Sequence, residues 1–405
     1  MSFAQDHVDH RLPLRSGGFA QAGQAVRLRI NSIDLLRGLV MVVMALDHTR
    51  DFFGAGDMNP RAFLEPAPFM TRWITHFCAP TFILLAGVSA YLHGAHGRSK
   101  REMSWFLLAR GFWLILIEFT LVRFAWRFNF DLNVFVFQVI WVIGASMVFL
   151  AGLIHLPLWA IAAVGLGMIA GHNLLDSVRA EHFAAAGWVW NFLHQPAVLR
   201  EGGRAAFPLY SLVPWVGVMA TGYAMGPIML LDQTRRRRLL FALGAVVSAG
   251  FLLLRATNLY GDPVAWVSQK DWLATALSFI DCEKYPASLL YLMMTLGPML
   301  LALAALEQAR GRLANWLTII GRVPLFYYVT HLYLIHALAV LYSIITLGDS
   351  AWLFGGAPLH KPVNYGLGLP GLYAVWLFVV VALYPLCKWF AALKQGRTQW
   401  WWSYL

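Results

Sequence analysis

Runs of about twenty apolar residues follow one another along this chain, and that pattern limits the fold more than any other feature. Such a run is the length an α-helix needs to cross the hydrocarbon core of a bilayer. Ten spans are predicted, at about 30–53, 70–93, 103–124, 133–154, 157–175, 209–231, 238–257, 286–307, 323–346 and 369–390. Charged residues make up only 13% of the chain and hydrophobic ones 59%, whereas soluble domains carry about 25% charged residues. The sequence reads as an all-α, polytopic membrane protein with the lipid bilayer as its surroundings.

The basic residues set an orientation. Arg27 and Arg29 precede the first span, and Arg98, Lys100 and Arg101 follow the second. Arg235, Arg236, Arg237 and Arg238 follow the sixth, Arg310 and Arg312 the eighth, and Lys394 and Arg397 the tenth. Positive charge gathers in cytoplasmic loops, so both termini are expected in the cytoplasm. Topology thus accounts for the net charge of +11, and no separate basic domain offers itself to nucleic acid. The longer loops, about 177–208, 257–285 and 347–368, fall on the opposite side, where a large partner is expected to be recognised.

Residues 1–28 lack a hydrophobic core segment of the signal-peptide kind. They are expected to form a flexible cytoplasmic tail ahead of a single transmembrane domain, 29–405. Trp400, Trp401 and Trp402 read as an interfacial anchor. Cys78, Cys282 and Cys387 show neither metal-binding nor disulfide spacing, and no metal is expected. A homo-oligomer is left open.

Charged groups inside a bilayer cost roughly 2.5–3.5 kcal/mol each on insertion scales and are functional by default. The first span holds several. Asp34, Arg37, Met41, Met44 and His48 recur at helical spacing and share one stripe. From Arg37 to His48 the helix makes three turns and rises about 16 Å. Asp34, one turn from Arg37, is expected to pair with it. Asp51, one turn beyond His48, is expected to orient the imidazole as a general base requires, while Asp47 and Arg50 point elsewhere. The expectation is a polar passage with a guanidinium low and an imidazole high. The competing reading is a buried ion pair that fixes helix packing, with His48 as an interfacial cap.

Other spans add candidates. His76, on the second span, either faces the same outer pocket as His48 or is a satisfied core histidine. The third span contributes Arg110 in its inner half and Glu118 in its outer half. Glu118 would partner His48, His76 or Arg123, or serve as an interhelical ion pair. On the ninth span, Tyr327 and Tyr328 lie one turn before His331, while His336 belongs to another face. Lys284 and Tyr285 sit at the outer entrance of the eighth span, where they either hold an acceptor or end a solvated loop.

The opening Arg29-Ile-Asn-Ser-Ile-Asp34-Leu-Leu-Arg37-Gly-Leu, with Asp47-His48-Thr-Arg50-Asp51-Phe-Phe, resembles a bacterial family grouped with the catalytic domain of heparan-α-glucosaminide N-acetyltransferase. Lys284-Tyr285-Pro286-Ala-Ser288, Gly321-Arg322-Val-Pro-Leu-Phe-Tyr-Tyr-Val-Thr-His331 and the terminal Trp-Trp-Trp-Ser-Tyr-Leu resemble it too. Arg37 and His48 also match the Arg-x10-His pattern of the broader membrane-bound acyltransferase-3 group. The resemblance implies transfer of an acetyl or other acyl group from cytosolic acyl-CoA, with acetyl-CoA as the first candidate. The acceptor would be an extracytoplasmic sugar, glycan or lipid-linked molecule. A bacterial inner membrane is the implied location.

It further implies His48 as the catalytic histidine, Arg37 as a contact to CoA or the moving thioester, and His331 as a second polar group in the tunnel. Arg110 and Tyr327 join the donor side, and Glu118, Lys284 and Tyr285 the acceptor side. The family's lysosomal member carries its reactive histidine in the loop after the first span. Residues 53–75 here contain none, so the role falls to His48 or to His76. His48 would act as a base or as a nucleophile forming an acyl-imidazole. The alternatives are a proton-coupled small-molecule transporter lined by these same residues and a non-catalytic partner in envelope assembly.

Overall fold

A computed structural model describes residues 30–55, 65–355, 361–395 and 397. The tail 1–28 and the anchor Trp400–Trp402 lie outside the described residues. Ten helices correspond to the ten spans: α1 (Asn31–Phe53), α2 (Pro66–Gly94), α3 (Lys100–Arg127), α4 (Val139–Leu153), α5 (Leu158–Leu175), α6 (Leu212–Ala224), α7 (Gln233–Thr257), α8 (Leu289–Leu306), α9 (Pro324–Leu347) and α10 (Leu369–Gln395). Among the described residues, seven are long and apolar enough to cross a membrane, and α4 and α6 are shorter apolar helices. The remaining one, α1, has the length but carries Asp34, Arg37, Asp47, Arg50 and Asp51. The chain is an all-α polytopic integral membrane protein.

Side-chain exposure separates the interior of the bundle from its rim. Val246, Leu252 and Leu253 on α7, Leu377, Phe378 and Val381 on α10, and Phe112 and Leu116 on α3 are large, apolar and exposed. In water that surface would be a liability, but against lipid it is the stable arrangement. The polar helix α1 lies in the middle instead. It packs on α2, α8, α9 and α10, and most of its residues are buried. Burial among protein is how a helix with five charges is tolerated at membrane depth.

Several elements go beyond the predicted helices, among them the short helices Gly187–Leu193 and Trp272–Ile280. A short helix, Arg312–Gly321, lies along α1; ten residues rise only about 15 Å, half the bilayer core. A Cβ on Gly38 would lie 1.9 Å from the Leu317 carbonyl oxygen, and one on Gly321 1.8 Å from that of Asp34. The two backbones therefore touch through paired glycines and fix the depth of α1. At the opposite end of the bundle, β1 (Val134–Val136), β2 (Leu199–Glu201) and β3 (Arg204–Phe207) form a small sheet in the order β1-β3-β2. β1 runs parallel to β3, with Val134 opposite Ala205, and β2 runs antiparallel to it. Strands of three or four residues are too short to leave a readable alternation.

Candidate functional site

The C-terminal end of α1 meets α9 through two imidazoles. His48 Nδ1 and His331 Nε2 are 2.6 Å apart, and both side chains are buried. The ring planes differ by 1° and the centroids are 4.9 Å apart, so the rings meet edge to edge in one plane. His331 Nδ1 lies 2.8 Å from the carbonyl oxygen of Tyr327, one turn earlier on α9. A carbonyl only accepts, so His331 Nδ1 carries a proton and its Nε2 presents a lone pair. His48 Nδ1–H must then be the donor to His331, which leaves the lone pair of His48 on Nε2. Among the described residues none is hydrogen-bonded to that nitrogen. Trp126 and Tyr328 stand edge-on to the His48 ring, at centroid distances of 5.1 and 5.9 Å.

Asp51 is not the orienting group expected from its spacing. Arg50 Nη2 takes Asp47 Oδ1 at 2.9 Å and Asp51 Oδ1 at 3.0 Å, so one guanidinium engages both acids. Thr75 donates to Asp47 as well, at 2.9 Å. Lys284 lies close enough for its charge to act on Asp47 and on His48. Its Nζ sits 5.1 Å from the centre of the Tyr285 ring, which packs edge-on against Tyr210. Lys361 donates to the Arg50 and Gly54 carbonyls at the end of α1. Asp47, His48, Arg50, Asp51, Lys284, Tyr285 and Lys361 thus form one polar mouth. Tyr210, Thr75 and Lys361 carried no signal in the sequence, because each reaches the mouth from an element distant along the chain.

The group around Arg37 is separate. Arg37 pairs with Asp34 at 3.5 Å, donates to the Leu85 carbonyl at 3.2 Å and also bonds Ser89 Oγ, tying α1 to α2. Met41 and Met44, the residues of the stripe between Arg37 and His48, are both buried in the core. The expected polar passage is therefore filled by two thioether side chains. Near the N-terminal end of the bundle, Tyr91, Arg98, Lys100, Met103 and Tyr223 line a cavity of about 200 Å³.

The remaining candidates are dispersed. Arg110 lies half-buried in the middle of α3. Tyr327 is fully buried and acts on His331 through its backbone. His76 is 2% exposed, both its ring nitrogens lack a hydrogen-bond partner among the described residues, and it packs edge-on against Tyr291 rather than against His48. Tyr291 in turn donates to the His76 carbonyl at 2.8 Å.

Glu118 opens a π-helical stretch of α3, Glu118–Val122, and accepts the backbone N–H of Trp141 at 2.9 Å. The first N–H groups of a helix lack intrahelical acceptors, so Glu118 caps α4 from its neighbour. Among the described residues it pairs with none of His48, His76 and Arg123. Arg123 instead reaches the Val134 carbonyl and the Phe135 ring.

A comparison with curated proteins finds no match. The family model described as "Heparan-alpha-glucosaminide N-acetyltransferase, catalytic" matches residues 29–255, which include α1 with both Arg37 and His48 but not His331. More than half of the chain lies in that match, and the chain belongs to the heparan-α-glucosaminide N-acetyltransferase catalytic family.

Proposed function

We propose that this protein moves an acetyl or other acyl group from cytosolic acyl-CoA to a hydroxyl or amine of an extracytoplasmic sugar, glycan or lipid-linked acceptor. The observation that carries this reading is the in-line pair His331–His48, which leaves the lone pair of His48 on Nε2, with Asp47, Lys284 and Arg50 near enough for their charges to act on the ring. In the reaction, His48 Nε2 takes the proton of the acceptor as its oxygen or nitrogen attacks the thioester carbonyl carbon. The tetrahedral intermediate collapses, the C–S bond breaks, and the proton on His48 passes to the departing thiolate. His331 keeps Nδ1 of His48 hydrogen-bonded throughout, and Lys284 supplies positive charge near the developing oxyanion.

The donor would enter at the N-terminal end, where Arg98 and Lys100 line the cavity of about 200 Å³ and suit phosphates. Its arm would rise along the α1 stripe past Arg37 by displacing Met41 and Met44, flexible side chains that repack at low cost. Arg110 is a further cation for the donor path. Asp47, Arg50, Lys284 and Tyr285 would hold the acceptor.

The test is transfer of radiolabelled acetyl from acetyl-CoA, supplied on the N-terminal side of proteoliposomes, to an acceptor on the other side. The wild-type chain should transfer label and His48→Ala should not. Equal transfer by the two would overturn the assignment of His48, and flux of a small solute without CoA would favour a transporter instead.

A further inference from the structure

A second cluster lies apart from α1, where the end of α5 meets the short helix Gly187–Leu193. His172, Asp176 and His194 each offer one ligand atom there, and these atoms lie within 4.8 Å of one another. His194 Nε2 is 3.1 Å from Asp176 Oδ1, and the other carboxylate oxygen accepts from Asn173 at 2.9 Å. The two imidazoles are set 5.5 Å apart at 69°. His172 is 2% exposed, and its ring faces the Ala287 backbone yet closes no hydrogen bond there. Among the described residues, both of its ring nitrogens, and His194 Nδ1, have no hydrogen-bond partner. Buried polar groups are nearly always satisfied, because leaving one unpaired costs roughly 1–3 kcal/mol. An imidazole with two idle nitrogens, turned toward a carboxylate and a second imidazole, therefore calls for a ligand.

We propose that His172, Asp176 and His194 bind a zinc-class divalent transition-metal ion. Two imidazoles and one carboxylate are the donor set such ions prefer, whereas magnesium and calcium take oxygen ligands almost entirely. Bonds of about 2.0–2.2 Å from a central ion would bring the three atoms inward by small side-chain rotations. The Ala287 carbonyl would then fix one His172 nitrogen as the outer hydrogen-bond partner, an arrangement common for metal-bound histidine. The bond of Asn173 to Asp176 does the same for the carboxylate.

The position gives the ion a structural task. Asn173 Oδ1 accepts the backbone N–H of Leu289, the first residue of α8, at 2.9 Å. That residue closely follows Lys284 and Tyr285 in the chain. A metal at this place braces loop 172–194, which the Asn173–Leu289 bond ties to the start of α8. The proposal stands whether or not the acyltransfer reading holds, because none of its residues touches His48.

The test uses the full-length chain in detergent with any affinity tag removed. Metal content is measured by mass spectrometry after dialysis against a weak chelator, then after stripping with a strong one and reloading with Zn²⁺, Co²⁺ or Mg²⁺. The expected result is about one zinc per chain. Zn²⁺ should raise the melting temperature of the stripped protein while Mg²⁺ does not, and Co²⁺ should give visible bands of low-coordinate nitrogen and oxygen ligation. Asp176→Asn and His172→Asn should lower zinc content several-fold while keeping a monodisperse elution profile. A wild-type chain that retains no zinc and melts alike with and without it overturns the site. So do variants that load zinc as well as the wild type. The wild-type measurement decides even if the variants fail to fold.

Discussion

His48 donates from Nδ1 to His331 Nε2 across 2.6 Å, and the two imidazoles lie in one plane. Neither residue could play its part alone. The carbonyl of Tyr327 sets the tautomer of His331, and His331 sets that of His48. The consequence is a basic nitrogen whose direction is determined by two helices packed against each other, α1 and α9.

This arrangement predicts unequal effects at the two histidines. His48→Ala removes the base and should lower acyl transfer by about 10²–10⁴-fold, the usual contribution of general-base catalysis. His331→Gln retains an acceptor for His48 and should keep more activity than His331→Leu, which retains none. Initial rates with purified variants, at matched expression and melting temperature, check the order. Identical rates for the two His331 variants would show that tautomer control is unimportant.

Glu118 is predicted to matter for stability rather than turnover. Glu118 is 1% exposed, and its carboxyl group receives the Trp141 N–H. Glu118→Ala orphans that buried donor and should cost roughly 1–3 kcal/mol, whereas Glu118→Gln retains an acceptor oxygen and should cost less. Thermal unfolding in detergent measures both. A Glu118→Ala chain that melts like the wild type but shows a raised KM for the acceptor would return Glu118 to the binding site.

Helical spacing reveals some of these partners and not others. Helical periodicity identified Asp34 as the neighbour of Arg37 and placed Tyr327 one turn from His331, and both relations are present. Such pairs are local, so the helix repeat dictates them. It could not show that Arg50, lying between Asp47 and Asp51, would capture both acids and leave His48 to a partner 283 residues away. Proximity along one helix gives the candidates, and competition among them is settled by the elements packed against it. The apolar runs made the ten spans legible for the same reason, since bilayer thickness is imposed on each run separately. The short sheet, the helix Arg312–Gly321 and the trio His172, Asp176 and His194 depend on tertiary contact and left no periodic trace.

The glycine contact between α1 and the helix Arg312–Gly321 should be intolerant of any side chain. A methyl on Gly38 or Gly321 would overlap backbone atoms, which cannot rotate away. Gly38→Ala and Gly321→Ala should therefore separate the helices and cost at least about 1–3 kcal/mol, the usual range for overpacking. Gly152, near the end of α4, is the control. Nothing lies within 4 Å of a Cβ built there, so Gly152→Ala should be neutral or stabilising by up to about 1 kcal/mol through helix propensity. Melting temperatures of the three variants test the contrast, and equal behaviour of all three would refute it.

Lys361 should give the protein a measurable pH dependence. It precedes α10 and donates to the Gly54 carbonyl at 2.8 Å and to that of Arg50 at 3.3 Å, closing the end of α1. Burial lowers its pKa from the ordinary 10.5 to about 8; Asp51 opposes the shift and Arg50 adds to it. Between these values the unfolded chain holds a proton that the folded chain has released, so unfolding stability rises with pH across that window. Below about pH 8 both states are protonated and the contribution is flat, at its least favourable level. The neutral amine still has N–H groups for the two carbonyls, so the closure survives the proton's departure. Lys361→Met should remove the dependence. The difference in unfolding free energy between wild type and variant should therefore move in favour of the wild type from about pH 8 to about pH 10.5. A difference that stays constant over that range would mean that the ammonium remains charged against the α1 terminus.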